Sequence, residues 1–354
     1  MEEKSFYGIK ENQFNEFLEF ENMYLGRIIT QHKDIYVVVT DKDEIMAKVS
    51  GKFIFDIVKE EEYPVVGDFV VVDRNDCKRG YGIIHKVLRR NTTIRRKRPD
   101  SNYKLQVIAT NVDIVFICTS LNFDFNLRRL ERYLSVVWDS NAMPIIITTK
   151  SDLCNDFDDK VALVEEVAFG VPIISTSIFD DSYKEVSKYL KGGVTAVFIG
   201  SSGVGKSSII NMIIGEEHFK TSGIREDDSK GRHTTTHREV FLLENQGIVI
   251  DTPGMRELGL TSSNVETTYE DIAEFANKCK FSNCTHTSEP GCMVLKAIEN
   301  GDLSEERFKS YVKTKNEGKF IEKNLQDKER KIKKQMDFKN KKIKSGKRSK
   351  KVDY

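Results

Sequence analysis

Val197-Phe198-Ile199-Gly200-Ser201-Ser202-Gly203-Val204-Gly205-Lys206-Ser207-Ser208-Ile209-Ile210-Asn211-Met212 sets an apolar run against a glycine-rich turn and a second apolar run. The turn has the form G-x-x-x-x-G-K-S, and its surroundings read as strand, loop and helix. Glycines allow backbone N–H groups to curl around phosphate oxygens, and a helix N-terminus adds a dipole that favours an anion. Lys206 would reach the β- and γ-phosphates of a nucleotide, and the Ser207 hydroxyl would take a place on its Mg²⁺. Gly200, Ser201, Ser202, Gly203, Val204, Gly205, Lys206 and Ser207 are therefore the candidate phosphate site.

Working outward, Asp251-Thr252-Pro253-Gly254 follows the apolar run Ile248-Val249-Ile250. A carboxylate at such a strand end can hold Mg²⁺ through water, and the Gly254 N–H can close on a γ-phosphate. Between the two motifs lies Gly231-Arg232-His233-Thr234-Thr235-Thr236. One threonine of this loop, assigned as Thr235, would cap Mg²⁺ and the γ-phosphate. The residue after D-x-x-G is Met255, which cannot orient an attacking water as glutamine does. His233 is the local substitute; the alternative is that a partner supplies the group.

Upstream, Thr149-Lys150-Ser151-Asp152 ends another apolar run. An aspartate here can accept from the N1–H and N2–H₂ edge of guanine, which adenine does not offer. Motifs of this kind usually carry asparagine where this chain has Thr149, so guanine selection rests on Asp152. Ser175 and Thr176, in a Ser-Thr-Ser triplet after a further strand, fit the small-residue loop that backs the base. All the parts of a GTPase are present, but the base-reading motif precedes the phosphate loop. That order implies a circular permutation, with the switch segments running directly into the C-terminal region.

Cys279-x4-Cys284-x-His286-x5-Cys292 offers three thiolates and an imidazole. This is a Cys₃His set suited to one structural zinc, with no ligand position left for catalysis. Reduced core thiols or a redox site are the other readings. The remaining cysteines, Cys77, Cys118 and Cys154, read as core thiols.

A chain of 354 residues calls for two or three domains. Short β-branched runs from Leu25 to Val87 predict a five-stranded barrel of OB type, with an SH3-like barrel giving a similar pattern. Arg89 to Tyr103 reads as a polar, basic linker. From Val112 onward, strands and helices alternate as in a mostly parallel α/β sheet, completed by Thr195–Ile199 and Gly247–Asp251. No run of eighteen apolar residues occurs, and the start lacks a signal-peptide pattern, so the expectation is a cytoplasmic protein away from membranes.

The net charge of +1 hides an asymmetry: Lys328 to Lys351 holds thirteen Lys/Arg against two acids. Lys86 to Arg98 holds seven Lys/Arg and no acid. Basic patches on an acidic body suggest a polyanionic partner. A disordered solubilising end is the plainer reading of the tail.

Taken in order, T-K-x-D, G-S-S-G-V-G-K-S-S, G-R-H-T-T-T-H-R-E, D-T-P-G-M-R-E and C-x4-C-x-H-x-x-E-P-G-C resemble the circularly permuted, ribosome small-subunit-dependent GTPase A (RsgA) family. The resemblance runs from the barrel to about Lys319. It implies a multidomain α/β protein: an N-terminal OB-type β-barrel (1–90), a circularly permuted P-loop GTPase domain (91–262) and a C-terminal helical zinc-binding domain (263–325). A lysine-rich tail (326–354) follows. It extends the phosphate site to Ser208, and implies GTP and GDP as ligands and the small ribosomal subunit with its rRNA as partners. It also implies slow intrinsic hydrolysis stimulated by that subunit, with hydrolysis timing release of the factor in late subunit maturation; the chain itself is expected to be a monomer. The family also carries a hydrophobic residue in place of the catalytic glutamine, which Met255 matches. The rival readings are an RNA-binding assembly scaffold in which hydrolysis is incidental, and an ATP-dependent enzyme.

Overall fold

The computed structural model describes residues 7–57, 60–78, 80–97, 105–122, 124–215, 239–243, 247–251 and 268–320, with 323, 326, 327 and 330 beyond them. Among these, five strands form the N-terminal barrel: β1 (Tyr24–His32), β2 (Ile35–Thr40), β3 (Glu44–Val49), β4 (Phe69–Val72) and β5 (Gly82–Val87). Their order, β1-β2-β3-β5-β4, closes because β4 also pairs with β1, from Tyr24↔Val72 to Arg27↔Phe69. The β3–β5 pairing is parallel, which gives the OB connectivity and sets the SH3-like alternative aside. Alternation does the sorting: on β3, Ile45 and Ala47 enter the core while Glu44, Met46 and Lys48 face water. A short helix, Gly51–Asp56, follows β3, and the Ser50 hydroxyl caps it by accepting from the Phe53 N–H at 3.0 Å.

The segment from Arg89 to Tyr103 is not wholly a linker. Thr93–Lys97 forms β6 and pairs antiparallel with β7 (Leu105–Thr110). Ile94 is buried on β6, as are Val107, Ile108 and Ala109 on β7. The arginines and lysines mask a strand whose apolar share is a single isoleucine.

The second part of the large sheet is made of β8 (Ile114–Ser120), β9 (Met143–Thr149), β10 (Ile173–Thr176), β11 (Thr195–Ile199), β12 (Glu239–Leu242) and β13 (Ile248–Asp251). Spatially the order is β10-β9-β8-β11-β13-β12, all parallel except β12. The antiparallel β12 extends the strand set read from the sequence, where its Glu239-Val240-Phe241-Leu242 is too short to stand out. Every residue of β8 is buried, as expected of a parallel strand covered on both faces. Val115 and Ile117 pack on one side with Leu130 and Leu134 of the helix Leu127–Asp139. Phe116 and Cys118 pack on the other with Ile209 and Ile210 of the helix Lys206–Ile214.

Barrel and α/β sheet are continuous, since β1 meets β12 at Thr30↔Glu239. The junction is pegged by Arg27, which is fully buried. Its guanidinium donates to Thr195 Oγ1 at 3.0 Å, to the Asn111 and Gly67 carbonyls at 3.4 Å each, and to the Tyr7 carbonyl. Burial lowers its pKa to about 10, opposed by Asp113 and Asp68, so the group stays charged at neutral pH.

The C-terminal module contains the helices Glu270–Asn277 and Met293–Asn300 and helical residues 305–320. Its core gathers Tyr269, Ile272, Val294, Ala297, Leu303 and Tyr311. It is fastened to the helix Leu127–Asp139 by Arg307, which meets buried Glu131 at 2.5 Å and Asp271 at 2.7 Å. Arg132 adds a pair with Glu317 at 2.7 Å, and Ser135 bonds Thr268 at 2.9 Å.

Candidate functional sites: a phosphate loop and a Cys/His cluster

Gly200 follows β11 and swings the chain across the sheet's carboxyl end. Its φ is +146°, and a Cβ there would stand 2.4 Å from the Cys118 carbonyl oxygen. Only glycine fits so close to β8. Gly203 and Gly205 also have positive φ, at 72° and 106°, and the helix Lys206–Ile214 starts at once. The residues from Gly200 to Ser208 thus make a strand, loop and helix as the motif requires. Lys206 Nζ lies along the loop, donating to the Gly200 and Ser201 carbonyls at 2.9 and 2.6 Å. Ser201 Oγ donates to Asp124 Oδ2 at 2.5 Å, and Asp124 pairs with Arg129 at 2.9 Å. Asp124 carries no motif signal in the sequence.

The Thr149–Asp152 segment stands beside this loop, although it comes earlier in the chain. Thr149 Oγ1 donates to the Val204 carbonyl at 2.6 Å, and Lys150 Nζ donates to the Gly203 carbonyl at 2.9 Å. Lys150 has φ +58°, which turns the chain out of β9 into the single turn Ser151–Leu153. Ser151 Oγ reaches the Thr176 carbonyl at 3.3 Å. Asp152 is held by Ser177, whose hydroxyl donates to Oδ1 at 2.7 Å. Thr176 bonds the Thr148 carbonyl at 3.3 Å, and Ser175 meets the Thr148 hydroxyl at 2.8 Å. Ser177 is therefore the member of the triplet that touches Asp152. Ser175 and Thr176 hold the strand beneath it.

The backbone of β13 runs beside β11, with Val197↔Ile250 in register, so Asp251 follows at the same end of the sheet as Gly200. His233, Thr235, Gly254 and Met255 lie outside the described residues, as does the side chain of Asp251.

In the C-terminal module, the donor atoms of Cys279, Cys284, His286 and Cys292 lie within 4.8 Å of one another. Cys279 Sγ is 3.7 Å from His286 Nδ1 and 4.0 Å from Cys292 Sγ, and His286 Nδ1 is 3.4 Å from Cys292 Sγ. Donors around one tetrahedral zinc stand roughly 3.5–3.8 Å apart, from bond lengths of about 2.3 Å to sulfur and 2.0 Å to nitrogen. The set therefore fits a metal ion. Backbone N–H groups of Met293 and Leu295 donate to Cys279 Sγ and Cys292 Sγ at 3.3 and 3.5 Å. The turn between ligands is braced by Glu289, whose carboxylate accepts from the N–H groups of Thr285, Thr287 and Ser288. Of the other cysteines, Cys118 is a core thiol, pushed up to about 12 by burial and so inert. Cys154 is half-buried and Cys77 is exposed, so the reading of Cys77 as a core thiol is corrected. It lies on the polar Asn75–Lys78 connection, where little apolar surface is available to cover it.

A family model described as RsgA GTPase matches residues 87–261. Small ribosomal subunit biogenesis GTPase RsgA 2 of Lactiplantibacillus plantarum is 45% identical over 297 residues, covering 83% of this chain and 83% of that protein. This chain belongs to the RsgA family. A Methanosarcina acetivorans relative, named small ribosomal subunit biogenesis GTPase RsgA, is 41% identical over 86% of this chain and 82% of its own. The crystal structure of YjeQ from Thermotoga maritima superposes with a TM-score of 0.60 at 27% identity, covering 84% of this chain and 98% of that one. YloQ, described as a circularly permuted GTPase, gives 0.59 at 28% identity, covering 84% and 96%. A second family model, described as 50S ribosome-binding GTPase, matches residues 195–336 and so begins at the strand that feeds the phosphate loop. The RsgA fold is thus a GTPase sheet whose chain has been opened elsewhere. Counted from β11, its strands take the spatial order 2-3-1-4-5-6.

Proposed function

We propose that this chain is a GTPase of late small-subunit maturation. It binds rRNA on the small ribosomal subunit, hydrolyses GTP to GDP and phosphate under stimulation by that subunit, and leaves when hydrolysis is done. The observation that carries the reading is the pair of ties from Thr149 and Lys150 to the phosphate loop. They join a guanine-reading turn to a phosphate cradle across the permutation, and the relatives' names supply the subunit.

In this assignment Gly200 to Ser208 hold the phosphates, with Lys206 exchanging its loop carbonyls for β- and γ-oxygens. Asp152, positioned by Ser177, accepts from the guanine edge, with Thr149, Lys150, Ser151, Ser175 and Thr176 supporting it. Ser207, Thr235 and Asp251 would hold Mg²⁺, which would supply neutralisation of phosphate charge. Gly254 senses the γ-phosphate. Hydrolysis joins a water oxygen to the γ-phosphorus and breaks its bond to the β–γ bridging oxygen. Met255 cannot accept the water's proton, so His233 or a group on the subunit orients the water. Cys279, Cys284, His286 and Cys292 hold one structural zinc. The barrel, together with Lys86 to Arg98, meets rRNA phosphates.

The working division is a barrel at 1–90, a GTPase domain at 91–262, a zinc module at 263–325 and a basic tail at 326–354. The molecule works as a cytoplasmic monomer; among the described residues no helix is long and apolar enough to cross a membrane.

Co-sedimentation with purified small subunits tests this. Association in a non-hydrolysable GTP analogue and release in GDP are expected. Equal binding in both states would rule out hydrolysis as the timer.

A further inference from the structure

The loop that follows β10 presents apolar side chains to water where a soluble protein has little reason to. Phe179 is 79% exposed and Ile178 56%, while Leu153 on the facing turn is 60% exposed. Leu153 follows Asp152 in the chain, and Ile178 and Phe179 follow Ser177, whose hydroxyl holds Asp152. The loop is built, not slack: the Ser177 N–H donates to Ser182 Oγ at 3.0 Å, and the Ser182 N–H to Asp180 Oδ1 at 2.9 Å. The Phe179 N–H donates to Ser177 Oγ at 3.2 Å, and that same hydroxyl donates to Asp152 Oδ1 at 2.7 Å. One oxygen atom therefore fixes both the proposed guanine-reading carboxylate and the backbone of the exposed phenylalanine.

We propose that Phe179 is a nucleotide-binding residue whose ring stacks on one face of the guanine base. The inference rests on the reading of Asp152 as the guanine acceptor, and adds what that carboxylate cannot supply. Hydrogen bonds to the edge of a base choose guanine, but they leave both aromatic faces in water. An aromatic ring on the loop that holds the carboxylate can cover one face, and base–aromatic stacking is available to every base because each has a π-face. Lys150, two residues before Asp152, has φ +58° and donates from Nζ to the Gly203 carbonyl at 2.9 Å, which ties this turn to the phosphate loop. Phe179 is preferred to Ile178 because it is the more exposed of the two and its own N–H is bonded to the Ser177 hydroxyl.

The test is calorimetric titration of the full chain with GDP, for native protein, Phe179→Ala and Asp152→Asn. Phe179→Ala should weaken GDP about tenfold, which is ~1.4 kcal/mol, with the melting temperature unchanged because the ring is exposed. In Phe179→Trp, GDP should quench the tryptophan emission of that residue, read against native Trp138, while inorganic pyrophosphate should not. GDP affinity of Phe179→Ala within twofold of native, with the Phe179→Trp emission unmoved, overturns the proposal. That result together with weakened co-sedimentation would mark the ring as a contact to the subunit instead. Failure of the underlying reading shows separately: Asp152→Asn would then keep native preference for GDP over xanthosine diphosphate. The Phe179→Trp response decides the stacking claim in either case.

Discussion

Thr149 occupies a position where guanine-reading motifs usually carry an amide, and its hydroxyl makes one bond, to the Val204 carbonyl at 2.6 Å. Thr149 and Val204 are both buried, so removing the donor strands an acceptor at a cost of about 1–3 kcal/mol. Thr149→Val keeps the shape and loses only the hydroxyl. It is expected to weaken GTP and GDP roughly tenfold together, read by fluorescence titration, because the loop loses its tie before any nucleotide arrives. Gly200 is less forgiving. A Cβ 2.4 Å from the Cys118 carbonyl, at φ +146°, forces the loop away from β8. Gly200→Ala should abolish detectable nucleotide binding, while far-ultraviolet circular dichroism keeps the signature of the folded sheet. Asp152→Asn should exchange preference from guanosine to xanthosine nucleotides, because an amide presents a donor where the carboxylate presents an acceptor.

Among the elements, those read correctly from the sequence have strong periodicity or special turn chemistry. The run Ile114–Ser120 is apolar throughout because both faces are covered, and the helix Leu127–Asp139 shows spacing of three and four above an Asn126 cap. The phosphate loop was legible because its glycines have a steric reason to be glycine. β6 was not: its burial rests on Ile94 among charged neighbours, and pairing with β7 is a tertiary fact. Asp124 was invisible for a related reason, since its bond to Ser201 joins the loops after the neighbouring strands β8 and β11, 77 residues apart in the chain, and leaves no local trace. The Cys/His module makes a separate prediction. Metal analysis should find about one zinc per chain, and chelation should melt the helices around residues 268–320 while GDP binding persists. Loss of GDP binding on chelation would mean that the module and the phosphate site fold as one unit. Its attachment depends on Glu131, which is 3% exposed and accepts from Arg307, Ser310 and Tyr269. Glu131→Ala leaves Arg307 with Asp271 and the Thr268 carbonyl. The loss should be about 3 kcal/mol in urea unfolding, with a smaller loss for Glu131→Gln.

At the scale of the whole molecule, the permutation places the strand after the Thr234–Thr236 segment against the barrel, through the Thr30↔Glu239 pair. The Asp251 segment leads in sequence toward the Cys/His module. A partner that grips barrel and module together therefore grips both flanks of the nucleotide site. This gives a physical reason for hydrolysis to wait for that partner. In the proposed reading, the basic runs at Lys86–Arg98 and Lys328–Lys351, on a chain of net charge +1, supply the electrostatic side of that grip. Association with the subunit should fall steeply as salt rises, in proportion to the phosphates contacted. The central claim is that this chain is a slow GTPase until the small ribosomal subunit completes its active site. The most direct measurement is the GTP turnover rate of the purified protein with and without purified small subunits. The account predicts stimulation of at least about tenfold, equivalent to ~1.4 kcal/mol of added transition-state stabilisation. A turnover rate unchanged by the subunit, with GTP still bound, would contradict it.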